Sequence, residues 1–202
     1  IRQPDQSLDL DAMPFPRRDL TAAYRSSYFS EWMRPLASIR TSKGCHFRCQ
    51  FCALWKLTGG RYFTRKPEHI VEELGSIQEK YVFFADDESL LDTARMAALA
   101  ALIQGAGIDK RFFLYGRSDT IARHPQLLEK WKKAGLERVF VGLECIRDAD
   151  LKLIRKGSTV ANNLSAVRIL KELDIDIWPM FLVRPEFDRR DFIWSALGAT
   201  AA

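Results

Sequence analysis

Cysteine is scarce: four in 202 residues, too few to staple a disulfide scaffold. Long apolar runs are missing as well. No stretch reaches the roughly 18 apolar residues of a membrane-spanning helix. The opening Ile1-Arg2-Gln3-Pro4-Asp5 has no signal-peptide pattern and no initiator Met, so the chain is expected to begin mid-protein. Glycine (11) and proline (8) are too few for collagen, and an apolar share of 47% excludes a disordered chain. What is present suffices for one sizeable core and is short for two ordinary domains.

Acidic residues are missing from one long stretch. Between Arg34 and Lys66 stand Arg34, Arg40, Lys43, Arg48, Lys56, Arg61, Arg65 and Lys66, with no Asp or Glu. Such a stretch is either a solvated basic face or a field for an anion: a metal cluster, a carboxylate or an acidic redox protein. Its basic residues do not fall on one helix face, and no RNA-binding module is legible, so nucleic acid is not expected.

Residues 1–36 hold Pro4, Pro14, Pro16 and Pro35 without clean periodicity and read as an irregular lead-in. A repeating unit follows. Short runs rich in Val, Ile and Phe at Ala37–Thr41, Tyr81–Asp86, Arg111–Gly116, Arg138–Leu143 and Ile175–Val183 suit buried parallel strands. Helical stripes lie between them. One opens at Pro67 with Ile70, Leu74 and Ile77; one carries Met96, Leu99 and Ile103 before Gly105 and Gly107. Another runs from Pro125 through Leu127, Trp131 and Ala134 to Gly135, and a last one carries Val160, Leu164 and Val167. Strands alternating with helices imply βαβ units, about five of them, with the chemistry at the C-terminal strand ends.

The first strand runs into Gly44-Cys45-His46-Phe47-Arg48-Cys49-Gln50-Phe51-Cys52, a C-x3-C-x2-C loop. Thiolates suit zinc or iron–sulfur clusters. A structural zinc site closes with four protein ligands, but the fourth cysteine, Cys145, is remote. A cubane on three thiolates leaves one iron open to an outside ligand. Three neighbouring carboxylates, Asp86, Asp87 and Glu88, follow the second strand, where they are costly unless paired or capping a helix. Arg117 ends the third strand and Glu144 the fourth; they suit an anion and hydroxyls or an ammonium, or else each other. Cys145, one residue on, should point away as a buried thiol. His46, His69 and His124 read as structural.

The cysteine loop, with an aromatic before its third cysteine, resembles that of the radical S-adenosylmethionine (radical SAM) enzymes. The resemblance implies a partial (β/α)6 barrel over 37–192, after a 1–36 linker and before an irregular 193–202 tail. It implies a [4Fe–4S] cluster on Cys45, Cys49 and Cys52, which are also the catalytic set. SAM would chelate the open iron and be cleaved reductively to a 5′-deoxyadenosyl radical. Asp86, Asp87, Glu88, Arg117 and Glu144 would contact SAM, and the backbone of Phe51 the adenine. The family's glycine-containing turn after the fifth strand is replaced by Phe181-Leu182-Val183-Arg184-Pro185-Glu186-Phe187.

The lead-in Asp9–Leu20 is similar to the joint between a cobalamin-binding domain and the barrel in cobalamin-dependent members. Cys52–Tyr62, Phe83–Ser89 and Phe113–Ile121 are most similar to hopanoid C-3 methylases. That similarity implies C-methylation of an unactivated carbon; Trp55 and Lys56, after the cysteine loop, either face cobalamin or substrate or are a packing Trp and a solvated Lys. The implied partners are a small-molecule or lipid substrate and an acidic electron donor such as flavodoxin or ferredoxin. The implied location is the cytoplasm, at the inner membrane surface for a hopanoid. No cobalamin motif precedes residue 36 and no sixth strand is legible, so a barrel core without its cobalamin domain is expected. A radical SAM cyclase of the same architecture, or a zinc or iron–sulfur binding module, are the alternatives.

Overall fold

Apolar stripes at helical spacing set the helices, and the short apolar runs between them set the strands. A computed structural model describes residues 8–183. A 3-10 helix, Arg18–Ser27, precedes β1 (Leu36–Ile39). A small hairpin follows, β2 (Ser42–Gly44) and β3 (Tyr62–Thr64), with α1 (Leu54–Leu57) between its strands. Then come α2 (Pro67–Ser76), β4 (Tyr81–Phe84), α3 (Thr93–Gly105), β5 (Arg111–Arg117), α4 (Ser118–Arg123) and α5 (Pro125–Ala134). The described part ends with β6 (Leu136–Glu144), α6 (Asp148–Leu153), α7 (Val160–Glu172) and β7 (Asp176–Phe181).

The five expected strands form one parallel sheet in the order β1-β4-β5-β6-β7. This is the parallel sheet that the alternation implied, and it is consistent with the partial (β/α)6 barrel that the resemblance implied. Pro67 and Pro125 open α2 and α5, and Gly135, at φ 105°, closes α5. Alternate strand residues Ile39, Val82, Phe84, Leu114, Val139 and Val141 face the helices and make one aliphatic core with Ile70, Leu74, Met96, Leu99, Ile103 and Leu128. Trp131 is fully buried there, edge-on to Phe84 and Phe112, and its indole donates to the Met96 carbonyl at 3.1 Å. Among the described residues no helix is long and apolar enough to cross a membrane.

Three expectations are corrected. The lead-in is not wholly irregular. Its 3-10 helix is tied to the sheet by Arg18, which donates to Glu73 at 2.6 Å and to the Ser38 carbonyl at 2.9 Å, and by Arg25, which donates to Glu79 at 2.5 Å. Such long-range ion pairs leave no local pattern. The α7 stripe is rotated from the Val160–Leu164–Val167 reading: Leu164 is 48% exposed. The buried face carries the polar Asn163, whose amide donates to the Leu143 and Cys145 carbonyls at 3.0 and 3.1 Å. The hairpin around the cysteine loop was not foreseen either. It needs Gly44, at φ 93°, because a Cβ there would stand 2.2 Å from the Arg61 carbonyl oxygen. The segment Arg184–Phe187 and the 193–202 tail lie outside the described residues.

Candidate active site

The three clustered cysteines lie on the loop between β2 and α1, above the C-terminal ends of the sheet. Cys49 is buried, and Cys45 and Cys52 are half-buried; none forms a disulfide. The loop is held by its backbone: Gln50 N–H donates to the Ile154 carbonyl at 2.8 Å and Cys52 N–H to the Cys49 carbonyl at 3.1 Å. The Trp55 indole donates to the Cys49 carbonyl at 3.3 Å, with Lys56 5.4 Å from its ring. Burial pushes the Cys45 thiol up, partly offset by the Phe47 amide and the Arg117 charge.

The three carboxylates divide their labour. Asp86 accepts from Thr41 N–H at 2.7 Å, Thr41 Oγ1 at 2.6 Å and Ser42 N–H at 2.8 Å, stapling the end of β1 to the end of β4. Burial still holds its carboxyl above the usual range. Asp87 accepts from Gly44 N–H at 2.6 Å, which fixes the residue before Cys45. Among the described residues Glu88 has only two long backbone contacts, from Leu90 and Arg117 at 3.3 and 3.4 Å. Burial pushes its carboxyl to about 7, against the lowering pull of Arg117 and Lys156. The helix-cap alternative does not hold, because the cap of α3 is Asp92, which accepts from Arg95 N–H at 3.0 Å.

Arg117 is held on every side. It donates to Asp119 at 2.8 Å, to the Lys156 carbonyl and to Cys49 Sγ at 3.7 Å, and lies 3.6 Å from the Phe47 ring centroid. It does not pair with Glu144. That partner is Lys156, whose ammonium donates to Glu144 at 2.8 Å, both groups being buried. Gly142 makes room for this pair: a Cβ there would stand 2.7 Å from both the Glu144 oxygen and the Lys156 nitrogen. Glu144 adopts φ 63° at a register shift in β6, so Cys145 leaves the strand rather than alternating along it and packs with Leu151 and Ile154.

One cleft of about 370 Å³ gathers Cys45, Cys49, Phe51, Cys52, Asp86, Asp87, Glu88, Arg117 and Glu144. All the expected cluster and SAM-contact residues lie on it, within the size range of ligand pockets. Sequence reasoning missed Lys156, Tyr115, Phe140 and Met180, which also line it. Lys156 sits in a turn between Arg155 and Gly157, at φ 53° and 70°, which no local sequence signal marks. Trp55 and Lys56 are not on the cleft. Among the described residues no three His, Cys, Asp or Glu side chains gather around a single-ion position. A cubane does not require that, since each thiolate binds a different iron. Soft thiols beside carboxylates and a buried ammonium fit a thiolate-held cluster with a ligand carrying both charges.

A family model described as the Radical SAM superfamily matches residues 39–195. The chain belongs to the radical SAM superfamily. Membership implies a [4Fe–4S] cluster and SAM as cofactors, and an enzyme. The chain is 33% identical over 177 residues to the hopanoid C-3 methylase of Methylococcus capsulatus, covering 88% of this chain and 34% of that protein. It therefore spans about a third of that curated relative. Among solved structures, the cobalamin-dependent radical SAM enzyme OxsB superposes with a TM-score of 0.68 at 21% identity, over 80% of this chain and 26% of that one. The radical SAM methyltransferase TsrM of Kitasatospora setae, solved with cobalamin and a [4Fe–4S] cluster, gives 0.63 at 26% identity, over 75% and 32%.

Proposed function

We propose that this radical SAM chain is the SAM-cleaving core of a cobalamin-dependent methyltransferase acting on an unactivated carbon, the C-3 of a hopanoid. The observation that carries the reading is the single cleft on which the three cysteines meet the strand-end charges. Similarity to a hopanoid C-3 methylase over most of the chain supports the substrate. Cys45, Cys49 and Cys52 hold the cluster. Glu88, Asp87 and Glu144 face the ammonium and ribose hydroxyls of SAM, and Lys156 with Arg117 faces its carboxylate. Phe51 offers its backbone to the adenine. Bound there, cluster and SAM supply one electron and an adenosyl radical, and methylcobalamin the methyl group.

The chain's own residues position and insulate. Asp86 and Asp87 fix the lead into the cysteine loop before any cofactor arrives. Arg117 holds the Cys49 side of the loop against α4. In this reading 1–36 joins a cobalamin-binding domain to a 37–192 barrel core, with 193–202 as a tail. The exposed Arg40, Lys43, Arg48 and Lys56 suit an acidic electron donor; Arg65 does not, being buried against Glu73 at 2.5 Å. The location is cytoplasmic, against the inner membrane surface.

Anaerobic reconstitution tests the proposal. The expected result is a [4Fe–4S] spectrum that changes with SAM, 5′-deoxyadenosine on reduction, and a product one methylene heavier when the cobalamin domain is present. Bound zinc with no response to SAM would support a metal module instead. SAM cleavage coupled to a product of unchanged carbon count would support a carbon-skeleton enzyme.

A further inference from the structure

The inner face of the sheet buries two guanidiniums, and strand register ranks them. Arg117 of β5 is level with Gly142 of β6, and both line the cleft. Arg138 stands on the same face of β6, about 13 Å lower along the strand. Between the two levels Tyr115, Phe140 and Trp178 are aligned across β5, β6 and β7 as an aromatic row. Arg138, 1% exposed, lies 3.9 Å from the Trp32 ring and 4.2 Å from that of Trp178, and pairs with Glu31 and Asp176 at 3.0 and 2.5 Å. The aromatic row separates it from the cleft.

Arg117 is bonded differently. Its Nη1 donates to Cys49 Sγ at 3.7 Å, its Nε to Asp119 Oδ1 at 2.8 Å and its Nη2 to the Lys156 carbonyl. The Phe47 ring covers it at 3.6 Å. Asp119 is gripped from two sides, since Arg123 donates to its other oxygen at 2.6 Å. The chain brings this about where β5 passes directly into α4: the first turn of the helix folds the Asp119 carboxylate back onto the last side chain of the strand. Cys49, Arg117 and Asp119 are all buried, so the two charges act on the sulfur through protein rather than through water. Lys156 has no such line to a thiol, because its ammonium is held by Glu144 at 2.8 Å.

On the reading that Cys45, Cys49 and Cys52 hold the cluster, we propose that Arg117 and Asp119 set its reduction potential through Cys49, Arg117 raising it and Asp119 holding it down. Uptake of one electron from the donor adds one negative charge beside Cys49 and breaks no bond there. An N–H aimed at the sulfur, with a cation behind it, favours that added charge; hydrogen bonds to the sulfurs and local charge are two of the levers on such potentials. Arg117 alone would make the electron easy to accept and correspondingly weak as a reductant of the SAM sulfonium. Asp119 offsets part of that pull. It acts as a positioning residue, because its grip on Nε aims Nη1 at Cys49.

The test is a redox titration of the reconstituted protein without SAM, followed through the paramagnetic signal of the reduced cluster. Asp119→Asn keeps the shape and an acceptor for Nε and removes the charge. It should move the reduction equilibrium about tenfold toward the reduced form, about 59 mV upward for one electron. Arg117→Met should move it at least about tenfold the other way. Arg138→Met, beyond the aromatic row, should leave it unmoved. In the unaltered protein carrying isotopically labelled arginine, the reduced cluster should show a hyperfine coupling to an arginine nitrogen. A merely structural role would alter cluster content in the variants without shifts of opposite sign. Shifts of one sign in Asp119→Asn and Arg117→Met, no shift in Asp119→Asn, an equal shift in Arg138→Met, or no arginine coupling would each overturn the proposal. The coupling needs no variant and decides alone if a variant takes up no cluster. An unaltered chain that takes up no cluster would instead break the reading of the cysteine loop, which keeps the two failures apart.

Discussion

Each end of the inner face buries a guanidinium against aromatic rings, and the two ends treat it differently. At the floor, Arg138 is closed between Trp32 and Trp178 and neutralised by two half-exposed acids. At the mouth, Arg117 is equally buried, but its neighbourhood holds three thiols, a lysine and a carboxyl standing near 7. The floor spends its charges on one another; the mouth keeps Glu88 short of partners beside an open cleft. Buried charge at the floor is architecture, and at the mouth it is capacity for a ligand.

The sharpest way to break this contrast is at the mouth. Cys45→Ala, Cys49→Ala and Cys52→Ala should each abolish cluster binding and SAM cleavage, while Cys145→Ala, whose thiol packs under α6, should keep both. Iron and sulfide analysis decides, and a full cluster in any of the first three variants would overturn the ligand assignment. At the floor, Arg138→Met should cost about 3 kcal/mol, the low end for removing one partner of a buried pair because Glu31 and Asp176 are half-exposed. Denaturant unfolding measures it, and the surviving folded protein should bind SAM with unchanged affinity. A lost SAM affinity would erase the distinction between the two ends.

Lys156→Met should leave the cluster in place and weaken SAM about 10–150-fold, the equivalent of one charge-assisted hydrogen bond. SAM titration followed through the cluster spectrum reads it. The smallest effect is in pH. The Glu88 carboxyl is raised from 4.5 to about 7 in the folded chain, so the folded state holds a proton that the unfolded state releases between these values. Its contribution is full below about 4.5 and is lost as pH rises through 7. Thermal melts of the metal-free chain at pH 5 and 8 should therefore differ less in Glu88→Gln than in the parent, by no more than about 3 kcal/mol. Equal slopes would place Glu88 in water.

Periodicity made the sheet legible, because each parallel strand is a short apolar run, and Pro67, Pro125 and Gly135 mark the ends of α2 and α5. The cysteine loop was legible because three thiols at that spacing have few uses. Lys156 was not, since nothing local marks which lysine folds back onto Glu144 from the α6–α7 turn. The role of Asp86 was half legible: a strand-end carboxylate invites a ligand, but Thr41 and Ser42, some 45 residues earlier, already occupy it. The inner aromatic row was hidden for the same reason. Tyr115, Phe140 and Trp178 read as ordinary strand residues until the register lines them up across β5, β6 and β7.

The register shift at the end of β6 decides more than local geometry. It presents Glu144 to the cleft and sends the neighbouring Cys145 beneath α6. A strand slipped by one residue exchanges its faces, so deleting Leu143 would offer the cleft a thiol where a carboxylate now stands. Four thiolates within reach would close the cluster against any outside ligand, leaving an electron carrier in place of a radical generator. Retained iron with a spectrum deaf to SAM would be its signature. One residue of strand length thus separates two kinds of iron–sulfur protein.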